Sequence, residues 1–512
     1  MNSLFACLAL VTAADPDIVL KGGTVYDGTG KPGVVADVLI RGEKIVAIGK
    51  VEIAKDTKVI DCTGLAVCPG FIDLHTHCDS GIVTERGKAN KNYVTQGVTT
   101  IVTGNCGSGP VDTRAYYEKI DKQGAGTNVA HQVPHNSVRE KVMGNANRKP
   151  TAQEMKQLIT FTDAAMADGC WGLSTGLIYT PGTYAKTDEL IALATVSANH
   201  KGHYASHIRN EGGGLLDAIQ EAITIGKQAG CPVHVSHIKA SGKSAAGMSG
   251  RAIQLIESAR QQGQTVTADQ YPYIASSTSL KATLVSTRYR EGTEKEYIAR
   301  YTDPDVGPKL KDDIARSLKE RDDGQLVQIA RYSKNAKWQG KRIAAIAKDE
   351  GKSPLEIVVE IETNGGASVV NFGMTEEDVS NYMRQPWVAT ASDGGVHFPG
   401  ETVPHPRSYG TFPRKIGKYS IDDGVVKLEQ AIRSSSGLPA DIMRFTDRGY
   451  LKKDYFADIV IFDPKAYRDT ATYDKPHQYA AGVKWVFVNG KTEVDNGDHK
   501  PDVLGGKALR HR

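Results

Sequence analysis

The apolar positions of this chain change rhythm twice. From Asp17 to Thr63 they fall in short alternating runs, Ile18–Tyr26, Ala36–Ile40, Lys44–Ile48 and Lys58–Ile60, parted by glycine turns such as Gly28-Thr-Gly30. No helical period intervenes, which predicts strands facing a small core. The same rhythm returns at the far end in Ala457–Phe462, Val483–Val488, the turn Asn489-Gly490 and Lys491–Val494. Two β-rich ends around a long middle predict one small composite β-sandwich assembled from both termini.

The middle alternates apolar strands with helical stretches. Strands are predicted at Phe71–His77, Thr99–Cys106, Thr127–His131, Trp171–Leu177, His203–His207, Val233–His237, Val266–Tyr271, Val369–Phe372 and Val388–Asp393. Helices such as Ala152–Ala167, Leu215–Ala229 and Ala252–Gln262 lie between them. This repetition predicts an α/β fold, a TIM-like (β/α)8 barrel, although it offers one strand more than closure needs. The charge-rich stretch 288–340 breaks the alternation and is read as an inserted lobe or lid. The expected division is 15–68 for the first part of the sandwich, 69–440 for the barrel with its lobe, and 441–512 for the second part with the C-terminal tail.

Composition narrows the function classes. A net charge of +4 from interspersed residues argues against nucleic acid or an anionic membrane as partner. No run of about eighteen apolar residues follows the N-terminus, so no membrane span is expected. Residues 1–14 read as a weak export signal, with Thr12-Ala13-Ala14 as a small-residue cleavage site. The absence of Lys or Arg before Lys21 keeps a cytoplasmic location as the alternative. Seven cysteines without a C-x-x-C pair do not suggest a disulfide framework.

The chemistry sits at strand ends. His75 and His77, two apart at the end of Phe71–His77, point to one side of their strand. Cys106, His207, His237 and Asp393 end further strands. Singly, each is more often a buried thiol, a hydrogen-bonded core histidine or a turn carboxylate. Together, at the end of a parallel barrel where catalytic groups collect, they predict a zinc site with an open coordination position.

Several separated motifs carry a closer likeness. Pro69-Gly-Phe-Ile-Asp-Leu-His-Thr-His77 resembles the first-strand motif of the amidohydrolase superfamily. Thr103-Gly-Asn-Cys-Gly107, Gly172–Tyr179, Asp269-Gln-Tyr-Pro-Tyr273 and His405–Arg414 are similar to the N-acyl-D-amino-acid deacylases, or D-aminoacylases, within it. The likeness spans about residues 17–495 and implies a metal-dependent hydrolase that splits N-acyl-D-amino acids into a carboxylate and a free D-amino acid. It implies Zn2+ held tightly by Cys106, His207 and His237, with a second, weaker position at His75, His77 and Asp393. Asp393 would be the general base that takes a proton from the metal-activated water and returns it to the leaving amine. Lys239, Tyr271, Ser277 and Arg407 would receive the α-carboxylate of this small-molecule substrate, Arg407 being suited to bidentate contact. Pro134 departs from the family's pattern, which has glycine before the histidine at His135, leaving His135 either a substrate contact or a helix cap. Alternatives are an amidohydrolase acting on an N-acyl dipeptide, or on a cyclic amide as in dihydroorotase or hydantoinase. Cys106 counts against the latter, which typically carry a bridging lysine there.

Overall fold

A computed structural model describes residues 17–50 and 57–512; the expected export signal lies outside them. Eight strands form a closed parallel barrel: Phe71–Asp73, Val98–Thr103, Asn128–His131 continued by Val133–Pro134, Gly172–Gly176, His203–His207, Val233–Val235, Val266–Gln270 and Val388–Thr390. Two seams close it. The Trp171 N–H donates to the His131 carbonyl at 2.9 Å, joining the third strand to the fourth. The His77 N–H donates to Gly394 O at 2.7 Å and the Asp393 N–H to His75 O at 2.8 Å, joining the ends of first and last strands. Strands covered on both faces are buried throughout, as Val98–Thr103 is at every position.

The helices between them are amphipathic. Leu215–Ala229 buries Leu215, Ala218, Ile219, Ala222, Ile223 and Ile225 along one stripe, and Gly230, at φ 73°, ends it in the left-handed conformation. Full burial of each isoleucine stabilises by roughly 1.5–3 kcal/mol. Ala152–Ala167 starts from a reciprocal cap between Thr151 and Glu154.

The predicted strand at Val369–Phe372 is not part of the barrel. Ser368–Phe372 pairs antiparallel with both Ala275–Ser279 and Val327–Arg331. These strands and the helices between them enclose their own core, including Leu284, Leu310, Ile314, Ile329 and Ile361. The inserted lobe therefore runs from about Ala275 to Phe372, wider than 288–340. The extra strand belongs to it because an apolar run alone does not distinguish parallel from antiparallel partners.

The terminal segments join in one nine-stranded sheet, in which Ala66–Pro69 is flanked by Ile18–Val25 and Ile459–Phe462. The sheet curls, for Ile45 and Ile60 share one core with Ile459 and Phe487. Among the described residues, no helix is long and apolar enough to cross a membrane.

Candidate metal centre and substrate cleft

At the C-terminal ends of the barrel strands the backbone turns sharply. Gly104, Cys106 and Gly107 have φ of 79°, 52° and 71°, so the strand Val98–Thr103 ends in a left-handed turn that aims the thiol inward. Asn105 fastens this turn by donating to Leu74 O and Val102 O. Gly176 leaves room for it, since a Cβ there would lie 2.1 Å from Cys106 O.

Cys106 Sγ lies 3.3 Å from His75 Nε2, 3.4 Å from His237 Nε2 and 3.5 Å from His207 Nδ1. Beside this group, Asp393 Oδ1 is 3.1 Å from His77 Nε2 and 3.6 Å from His75 Nε2. The six residues singled out from the sequence as metal ligands thus meet in one place, with His75 facing both halves. Burial pulls the pKa of His75 down to about 4 and that of His207 well below its ordinary range, so both rings present neutral lone pairs. Burial also pushes the Cys106 thiol up; a divalent cation reverses that by stabilising thiolate. Thiolate, imidazole and carboxylate around an open space suit zinc.

Two carboxylates outside the predicted set hold the imidazoles. Asp269 Oδ1 accepts the backbone N–H of His237 at 2.7 Å, and its Oδ2 accepts from His234 Nε2 at 2.7 Å and lies 3.5 Å from His75 Nδ1. Burial alone would raise the Asp269 pKa, but His75 and His234 outweigh it and hold the group ionised. Glu211 Oε1 stands 3.2 Å from His237 Nδ1 and 3.7 Å from His207 Nε2. Asp269 opens the motif Asp269-Gln-Tyr-Pro-Tyr273, and Glu211 follows His207 by four residues. Both could have been suspected, yet nothing in the sequence fixed which ring each would meet.

The four residues expected at the substrate carboxylate line the same region. Arg407 is 2.8 Å from Asp393 Oδ2 through Nη1 and donates from Nη2 to Ser277 O at 3.1 Å. Burial would raise the Asp393 pKa, but the Arg407 guanidinium and His237 hold it well below the ordinary carboxylate range. The Tyr271 hydroxyl is buried without a hydrogen-bond partner among the described residues, and the Arg407 guanidinium sits 4.8 Å from its ring centroid. Lys239, 4 % exposed, places Nζ 2.5 Å from Glu211 and 2.7 Å from His237 Nδ1. Ser277, His77, Asp393 and Arg407 line a cleft of about 750 Å3 whose far wall is the lobe, through Thr278, Ala330 and Ser368. Tyr179, not predicted, sets its ring edge-on to His207 and its hydroxyl 3.0 Å from Thr278 Oγ1.

His135 lies elsewhere. It begins the helix His135–Met143, where its imidazole is 3.0 Å from Glu189, which also accepts from Arg139. It makes no side-chain cap, and the buried pairing with Glu189 accounts for it.

Residues 58–494 match the sequence model of the amidohydrolase family. The chain is 34 % identical to the D-aminoacylase of Alcaligenes xylosoxydans xylosoxydans, over 96 % of its length and 98 % of the relative's. It superposes with a TM-score of 0.83 and 32 % identity on a solved D-aminoacylase with a binuclear metal centre, activated by one metal and attenuated by the second. That match covers 97 % of this chain and 100 % of the other. An N-acyl-D-glutamate deacylase of Bordetella bronchiseptica, solved with zinc and a phosphonate mimic of the tetrahedral intermediate, superposes with the same TM-score at 30 % identity and the same coverage.

Proposed function

We propose, from the premise that this chain belongs to the amidohydrolase family, that it is a zinc-dependent deacylase of N-acyl-D-amino acids. Its products are a carboxylate and a free D-amino acid. The observation that carries the reading is the meeting of Cys106 Sγ with three imidazole nitrogens beside the Asp393–Arg407 pair. Preference for the D configuration rests on the relatives, all three of which bear it in their names.

Cys106, His207 and His237 would hold the tightly bound zinc, with His75, His77 and Asp393 at a second position. When bound, zinc polarises the scissile carbonyl and makes water acidic near neutral pH. Asp393, ionised and facing the imidazole cluster, takes the proton from the attacking water and passes it to the leaving nitrogen. Its partner Arg407 fixes the carboxylate's orientation through Oδ2, leaving Oδ1 toward the metal side. Arg407, the unpaired Tyr271 hydroxyl and Ser277 receive the substrate's α-carboxylate from the cleft. Lys239 has three ammonium donors; one is directed at Glu211, which leaves donors for the same carboxylate.

The test pairs N-acetyl-D- with N-acetyl-L-amino acids (Met, Leu, Phe, Glu) on zinc-quantified protein. Hydrolysis of D forms is expected, with turnover falling roughly 10²–10⁴-fold in Asp393→Asn while zinc stays bound. Near-normal turnover by that variant, or equal hydrolysis of both enantiomers, would overturn the assignment.

A further inference from the structure

Another cavity, of about 200 Å3, lies where the chain enters the last barrel strand, Val388–Thr390, at the end opposite the strand-end cluster. It forms where the turn Thr29-Gly30 of the terminal sheet meets Met383–Pro386, the segment leading into the last barrel strand. Lys415 lines it from within, Arg384 and Gln430 stand exposed on its walls, and no carboxylate borders it. Arg433 also borders it, but Asp441 balances that charge at 3.2 Å.

Lys415 has no such balance. It is 4 % exposed, and its amine has no hydrogen-bond or ion-pair partner among the described residues. Burial is the sole influence on its pKa and pulls it down to about 7. An ammonium removed from water without a counter-charge is costly, and a protein meets that cost by deprotonating the group or by neutralising it with an anion. The cavity offers the second course. It has several times the ~30 Å3 share of one water molecule, its charged lining is cationic, and Gln430 adds an amide donor.

We propose that this cavity binds a small oxyanion, a phosphate or a simple carboxylate such as acetate, with Lys415 as its principal ligand and Gln430 as a second donor. The site is independent of the catalytic cleft and of the substrate assigned above.

Zinc-loaded protein is titrated by calorimetry with phosphate and, separately, with acetate, against chloride at equal ionic strength. A saturable isotherm is expected for at least one of them, and which one identifies the oxyanion's class. Lys415→Met is expected to weaken that binding at least tenfold. Arg407→Met separates any binding in the catalytic cleft and should leave the Lys415-dependent isotherm in place. No isotherm in the parent protein, or an unchanged one in Lys415→Met, overturns the proposal. Should Lys415→Met fail to fold, Gln430→Leu serves at the exposed wall: a threefold or greater loss supports the site, and unchanged binding overturns it.

Discussion

Three of the clustered side chains, Cys106, His237 and Asp393, stand on left-handed backbone with φ of 52°, 35° and 51°. Such conformations cost non-glycine residues on the order of 1–3 kcal/mol each and persist only where the surroundings impose them. Here strand ends, Asn105 and Asp269 do so. Asparagine tolerates this region as aspartate does, so Asp393→Asn tests the proton-transfer role without disturbing the turn. Cys106→Ala should release the metal: zinc after dialysis is expected to fall from about one per chain to near none by elemental analysis. Glu211 makes a different prediction. Glu211→Gln leaves Lys239, 4 % exposed, without its counter-charge, and breaking a buried pair costs about 3–5 kcal/mol. Chemical denaturation of the metal-free protein should show a loss of that order, because the metal no longer masks it.

The lobe, as a unit, has its own hydrophobic core and touches the chemistry only through the cleft wall. Ile314, fully buried in that core, can therefore be truncated without moving the metal ligands. Ile314→Ala should loosen the lobe by about 2–5 kcal/mol; a raised KM with unchanged zinc content would show it, and lost zinc would refute the separation. Much at this scale was legible beforehand. His207 does end its strand, while His77, Cys106, His237 and Asp393 follow theirs by two to four residues. Barrel topology makes legible which end of the barrel they share, but not the left-handed turns at Cys106, His237 and Asp393 that aim them inward. The strand Ser368–Phe372 was misplaced because its apolar run, Val369-Val370, is the same signal whether its neighbours run parallel or antiparallel. The engagement of Lys239 with Glu211 was invisible, since it depends on how a loop after His207 folds back across the next strand. So was the pairing of Arg407 with Asp393, which only the tertiary fold brings together.

Across the whole molecule, the C-terminal tail acts as a strap. Gly506 N–H donates to Ala125 O, Leu509 N–H to Val129 O and His511 N–H to Gly169 O, while the Trp171 indole donates to Leu509 O at 2.7 Å. Glu493 anchors the strap's start by accepting the Gly505 N–H at 2.6 Å. Burial raises the Glu493 pKa to about 8 from 4.5. The folded state therefore keeps a proton that an unfolded glutamate loses above 4.5, and stability falls as pH rises from there to about 8. Glu493→Gln should remove that slope, so its melting temperature relative to the parent rises between pH 5 and pH 8; parallel shifts would exclude Glu493 as the source.

The curled terminal sheet has a consequence for how the protein comes to be folded. Cys68 meets the carbonyl of Val460 across 392 positions of sequence, and Ala66–Pro69 joins the N-terminal strand Ile18–Val25 to Ile459–Phe462. While the ribosome is still making the barrel, Ala66–Pro69 waits with one edge unpaired, and unpaired edges template aggregation. Closing so long a loop comes late in folding. Yield in a cell should therefore depend on holdase chaperones during synthesis more than on the stability of the finished enzyme.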